Sequence, residues 1–296
     1  MTSKHYQILM NSFVVFILSH GRPNNVYTIK TLRKHGYTGQ IIIVCDNEDK
    51  TINEYLKIYN NVEIFDKKAI SETFDEGDNF QDRRAIIYAR NACFEIAKKL
   101  GYKYFIEMDD DYTSFEYRLY SNENQKPKNI KDLDSIFLLF IDFLAKTKFS
   151  TISMAQGGDF IGGKNNKMAK RPTLFRKCMN SFFCSTEKPF SFIGRINEDV
   201  NTYVKKQSIG LLMGTIPFVA LSQKTTQKNK GGMSELYIDS GTYVKSFYSV
   251  MYSPSCVTIK HMGDKHMRLH HSVKWNLAVP KIISEINKKN NGIRQN

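Results

Sequence analysis

The sequence predicts an α/β fold: a mixed, mostly parallel sheet flanked by helices, folded as a single compact domain. Three observations carry this. Short apolar, β-rich runs alternate with segments of helical period at βαβ spacing across residues 13–150. The runs are continuously apolar, as strands covered on both faces are. No Pro/Ser linker, internal repeat or low-complexity tract divides the chain.

The elements follow in order. Phe13–Leu18 reads as a buried strand, followed by the polar loop Ser19–Asn25 and a helix over Val26–His35 that stops at Gly36. Gln40–Cys45 is a second strand, ending in Asp46. Ile52–Tyr59 reads as a helix, Val62–Phe65 as a strand, and Arg83–Leu100 as a longer helix with Gly101 as its stop. Tyr104–Met108 is a strand running straight into Asp109-Asp110-Asp111. Leu133–Leu144 is an apolar helix and Ser150–Met154 another strand. The Gly-, Asn- and Lys-rich segment Gln156–Lys177 is a long loop or hairpin, and periodicity stays weak up to Phe218. Tyr243–Met251 reads equally as strand or helix. Cys256–Lys260 is a strand, and Val273–Lys289 a C-terminal helix in spite of Pro280.

The charge is polarised. The 296 residues carry 43 Lys+Arg and 29 Asp+Glu, a formal +14. Residues 1–150 hold 21 basic and 21 acidic side chains, whereas 151–296 hold 22 and 8. The second half therefore favours a polyanionic partner such as nucleic acid. With 41% hydrophobic residues the chain is neither disordered nor fibrous. Five cysteines without a CxxC spacing read as reduced thiols, which places the protein in the cytoplasm (a host cell's cytoplasm for a viral chain). Phe13–Leu18 is too short for a signal peptide or a membrane span, so no membrane association is expected.

Three consecutive aspartates at the end of a buried strand repel one another, and burial raises their cost. A divalent cation, Mg²⁺ or Mn²⁺, would neutralise them, with Asp109 and Asp111 facing one side. A solvated strand-end cap is the plainer alternative. Ser19-His20-Gly21-Arg22-Pro23 also lies at a carboxyl edge, where open α/β sheets bind ligands, and can take a base, ribose or phosphate unless it is a simple turn. Asp46 can hold a base or ribose, or simply end its strand. The chain has neither a Walker A nor a GxGxxG pattern, which argues against ATPases and dinucleotide oxidoreductases.

These pieces resemble the nucleotide-sugar glycosyltransferases of the GT-A (Rossmann-like) fold. The carriers are Phe13–Arg22, Ile41–Asp46, Ala89-Arg90-Asn91 and the DxD motif in Ile106–Asp111. The resemblance implies a nucleotide-sugar donor, most simply a UDP-sugar, and a divalent metal held by Asp109 and Asp111. Ser19, His20, Arg22, Asp46, Asp109 and Asp110 would line the donor site. Arg90 would support it, if it is not a surface salt bridge. Arg195–Val200 looks like the Glu-Asp motif that supplies the general base of inverting enzymes, with Asp199 first and Glu198 in reserve. A helix N-terminus that merely favours acids would look the same. Four of the seven histidines crowd into residues 261–271. There the resemblance implies a metal ligand, with His261 the best positional match and His266, His270 and His271 open. Lys265 and Arg268 would neutralise diphosphate, or the segment is a basic surface.

A narrower resemblance is to phage enzymes that glycosylate modified bases in DNA, the TET/JBP-associated glycosyltransferases included. It rests on residues 19–23, 108–115, 197–202 and 230–233. It implies an acceptor of double-stranded DNA with hydroxymethylated pyrimidines, such as hydroxymethylcytosine. Lys164, Lys167, Lys170, Arg171 and Arg176 in one segment, and Lys228 and Lys230 in another, would track phosphates. Phe160, Phe175, Phe182 and Phe183 would stack on a base or belong to the core. Residues 1–150 would then form the donor-binding part and 151–296 the acceptor-binding and closing part of one domain. The alternatives are the same transfer onto a protein, glycan or lipid, or a non-enzymatic nucleic-acid-binding protein.

Overall fold

The structure is a computed structural model that describes residues 3–78, 82–121, 124–160, 172–224, 244–262 and 268–282. The helices are α1 (Ser3–Asn11), α2 (Tyr27–Lys34), α3 (Ile52–Ile58), α4 (Lys67–Ser71), α5 (Ile87–Lys99), α6 (Leu133–Lys146), α7 (Glu198–Ser208), α8 (244–252) and α9 (Trp275–Ala278). The strands are β1 (Phe13–Leu18), β2 (Ile41–Asp46), β3 (Val62–Phe65), β4 (Tyr104–Asp109), β5 (Tyr112–Ser121), β6 (Asn124–Asn129), β7 (Phe149–Ala155), β8 (Ser181–Ser185), β9 (Leu212–Gln223), β10 (Val257–Met262) and β11 (Arg268–Val273).

Among the described residues β1–β9 form one sheet in the order β3-β2-β1-β4-β8-β7-β9-β5-β6, and β10 and β11 form a separate antiparallel hairpin. Strands β3, β2, β1 and β4 are parallel, β8 and β5 run against their neighbours, and β7 and β9 are parallel. This is the mixed, mostly parallel sheet flanked by helices that the sequence implies. Strands from the second half (β7, β8, β9) insert between β4 and β5 of the first, so one sheet unites both halves.

Period-2 alternation explains the layers. Phe13, Val15 and Ile17 of β1 join a core with Leu32 of α2 and Leu133, Phe137 and Ile141 of α6. Val14, Phe16 and Leu18 face the other way, onto Ile87, Cys93 and Ile96 of α5 and Val200 and Tyr203 of α7. Gly36 ends α2 with φ +83, and a Cβ there would lie 2.1 Å from the Lys131 carbonyl oxygen, so this stop requires glycine.

Three expectations change. The C-terminal helix expected over Val273–Lys289 is not continuous in its described part: Val273 ends β11, and up to residue 282 only α9 is helical, while residues 283–289 lie outside the described residues. Val279 is extended (φ −73, ψ 153) ahead of Pro280, because the proline ring crowds a preceding helical residue. The stretch of weak periodicity before Phe218 contains β8, α7 and the first half of β9. The ambiguous segment near Tyr243–Met251 is helical, as α8. Among the described residues no helix is long and apolar enough to cross a membrane. All five cysteines are free and buried.

Candidate active site

Chain order puts β2 and β3 on one side of β1 and β4 on the other, so β1 and β4 flank the switch point of the sheet. Open α/β sheets bind ligands just beyond the strand ends at such a point. Leu18 pairs with Asp109 in register, which sets the loop after β1 beside the acidic triplet. Ser19 Oγ donates to Asp110 Oδ2 at 2.6 Å and lies 2.7 Å from the Tyr55 hydroxyl. Arg22 Nε sits 3.2 Å from the same Asp110 oxygen, and the Arg22 amide donates to Tyr55 at 3.0 Å. Asp110 is thus enclosed by the loop. Thr28 fixes the turn from behind. Its Oγ1 donates to the Asp109 carbonyl at 2.6 Å and accepts from the Tyr112 amide at 2.9 Å, while its own amide donates to the Asp110 carbonyl at 3.1 Å.

At the end of β2, Asp46 Oδ2 lies 2.7 Å from His20 Nδ1 and Asp46 Oδ1 lies 3.3 Å from Lys67 Nζ. Burial alone would raise the Asp46 carboxyl, but His20 and Lys67 outweigh it and hold it low. The hydrogen bond to Asp46 raises His20 in turn. The half-exposed His20 ring is therefore held against a buried carboxylate at the end of β2.

Arg90, on α5, is the hub. Its side chain is 1% exposed, with Nη2 3.3 Å from Asp109 Oδ1, Nε 3.2 Å from Glu198 Oε1 and Nη1 3.6 Å from Glu107 Oε2. Its guanidinium carbon also lies 4.7 Å from the centre of the Phe182 ring. Burial opposes the Arg90 charge, and the three carboxylates more than restore it. Glu107 is fully buried in β4, its oxygens make no hydrogen bond, and burial pushes its carboxyl well up. Neither the Glu107 contact nor its burial was foreseen. The signal was present, since a charged residue inside an apolar strand needs a partner.

α7 brings the Glu-Asp pair to this hub. Asn197, just before it, is left-handed at φ 57, and its Nδ2 donates to the Lys245 carbonyl at 2.7 Å and lies 3.2 Å from His271 Nδ1. Burial raises Glu198, only partly offset by Arg90, and the neighbouring Asp199 adds to the rise. Asp199 goes the other way: burial would raise it, but Lys177, which donates to its Oδ2, holds it below the usual carboxylate range with help from the Val200 amide and Lys245. His271, on β11, is pushed down to about 3 by burial and by Lys177, His270 and Lys245, so its imidazole is neutral.

Asp109 and Asp111 fit a divalent cation. Burial raises the Asp109 carboxyl, and burial with the Asp109 and Asp110 charges pushes Asp111 up to about 7. Asp111 Oδ1 is buried with no hydrogen-bond partner. Among the described residues no three His, Cys, Asp or Glu side chains are grouped to hold an ion by themselves. Two carboxylates completed by substrate phosphates and water are the set Mg²⁺ ordinarily uses. The hairpin histidine beside the Glu-Asp motif is His271, while His261 is exposed on β10. Arg176 pairs with Asp159, and Phe182 and Phe183 belong to the core. Lys164, Lys167, Lys170, Arg171, Lys228, Lys230, Lys265 and the Arg268 side chain lie outside the described residues.

Comparison with known proteins places this geometry in a family. Solved structures with a similar chain path include S. aureus TarS 1-349 in complex with UDP-GlcNAc, at 11% identity and a TM-score of 0.42 over 73% of this chain and 60% of that one. Glucosyl-3-phosphoglycerate synthase from Mycobacterium tuberculosis, in complex with Mn²⁺, UDP-glucose and phosphoglyceric acid, is similar at 9% identity and a TM-score of 0.44, over 90% and 91% of the two chains. The chain spans 36% of the longer TarS structure. No curated protein matches it in sequence. The TET-associated glycosyltransferase family model matches residues 13–232, about three quarters of the chain, and includes the β1 loop, the acidic triplet, Arg90 and the Glu-Asp pair. The chain belongs to the TET-associated glycosyltransferase family.

Proposed function

We propose that the protein transfers a sugar, with inversion, from a UDP-sugar to the hydroxyl of a hydroxymethylated pyrimidine in double-stranded DNA, with a divalent cation at Asp109 and Asp111. One observation carries this reading: Arg90 touches both Asp109 and Glu198, so a single guanidinium ties the donor-side acids to the Glu-Asp pair. The polarised charge favours DNA as the acceptor. The two complexes described above hold a UDP-sugar, and one of them Mn²⁺.

In this reading Asp46 and His20 hold the nucleoside, and Ser19, Arg22 and Asp110 shape the loop around its ribose and phosphates. Asp109 and Asp111 hold the cation, which supplies charge to offset the diphosphate. Asp199, kept ionised by Lys177, is the general base. The acceptor oxygen forms its bond to the anomeric carbon as the carbon–oxygen bond to diphosphate breaks. That electron pair leaves with UDP, and the hydroxyl proton passes to Asp199. Arg90 offsets the mutual repulsion of the nearby carboxylates, Lys265 and Arg268 neutralise diphosphate, and the neutral His271 stands beside the Glu-Asp pair. Residues 1–150 bind the donor and 151–296 the acceptor.

Thermal unfolding with a panel of UDP-sugars and Mn²⁺ tests the donor half. One donor at 100 times its Kd stabilises the fold by about 2.7 kcal/mol. EDTA or Asp111→Asn abolishes the gain. The gain shrinks below pH 7, because protons compete with the metal for Asp111. Equal stabilisation of wild type and Asp111→Asn would overturn the metal assignment.

A further inference from the structure

We propose that Lys177 is a positioning residue for the base: it aims the Asp199 carboxylate before the acceptor arrives and yields one of its oxygens to the acceptor hydroxyl. This rests on the reading of Asp199 as the base. A backbone amide and a side chain both hold the carboxylate. Oδ1 accepts from the Val200 amide at 2.7 Å, a bond within the first turn of α7, and Oδ2 accepts from Lys177 Nζ. The first partner is backbone, fixed in place by α7, whereas the second is a side chain that can rotate away. The pair is near the surface, with 17% of the Lys177 side chain and 13% of that of Asp199 exposed.

The backbone that carries Lys177 is anchored. Thr173 pairs with Thr215 of β9, the Lys177 carbonyl accepts from Thr215 Oγ1 at 3.2 Å, and Cys178 Sγ lies 3.2 Å from the Gly214 carbonyl. The main chain is therefore held on β9, and exchange at Asp199 needs only rotation of the lysine side chain. The other charged or titratable groups that act on Asp199 or on its neighbour come from separate elements. They are Lys245 on α8, His271 on β11, Glu198 beside it on α7, Asp109 on β4 and Arg90 on α5. Lys177 donates a hydrogen bond directly to the carboxylate in the structure.

Two readouts test this on the full chain: carbon-13 NMR titration of the Asp199 carboxyl, with Mg²⁺ present, and the pH profile of kcat/KM for sugar transfer to a hydroxymethylcytosine duplex. Loss of a cation at this distance raises a carboxyl by roughly 1 to 3 pH units. In Lys177→Met the NMR midpoint and the acid limb of the profile therefore both rise by about that much, and Lys177→Arg restores them. An unmoved midpoint in a folded Lys177→Met overturns the role of Lys177. A midpoint that rises while the acid limb stays fixed, or an Asp199→Asn variant that still transfers, instead overturns Asp199 as the base.

Discussion

Arg90 can be replaced only at a high cost, because three carboxylates from two elements depend on its charge. Removing one partner of a buried ion cluster leaves the others uncompensated, at about 3–5 kcal/mol. Arg90→Met is therefore expected to lose that much stability in urea unfolding, and a loss below about 1 kcal/mol would contradict the hub. Arg90→Lys should rescue little, since an ammonium cannot present a planar fork to three acids. At this scale the sequence was partly legible. Asp109, Asp111 and the Glu-Asp pair stand out because adjacent acids are costly without a partner. Lys177 and Lys67 do not, because their partners, Asp199 and Asp46, lie 22 and 21 positions away and only the fold brings them together.

One hydroxyl joins the start of α2 to the turn between β4 and β5. Thr28 both donates into and accepts from this acidic turn, so Thr28→Val leaves the buried Tyr112 amide without its partner. The expected outcome is a loss of ~1–3 kcal/mol in unfolding and weaker donor binding, with both restored by Thr28→Ser. Wild-type stability and donor affinity in Thr28→Val would contradict the coupling. The parallel strands β1 to β4 were legible because continuous apolar runs admit few other readings. α7 was not, because it buries Asn201, Thr202 and Gln207, each of which makes a side-chain hydrogen bond inside the fold. A search for apolar period passes over such a helix. The described part of the C-terminal helix was overread for the opposite reason: its pattern ignores the backbone restriction that Pro280 places on Val279.

Across the whole molecule the two halves share one sheet, with β7, β8 and β9 between β4 and β5. The charge division is therefore not a division into domains. The neutral half supplies β1, β4 and α5, the donor side in the proposed reading, and the basic half adds Asp199, Lys177 and His271 beside it. This arrangement suits an enzyme that holds a small anionic donor against a polyanion. The claim is tested most directly by incubating the protein with UDP-hexoses and Mn²⁺ on duplex DNA containing hydroxymethylcytosine or hydroxymethyluracil, then weighing the digested nucleosides. The account predicts a gain of one hexose residue on the modified nucleoside, none on unmodified DNA, and none with Asp199→Asn. Release of UDP with no mass gain on any nucleoside would contradict it.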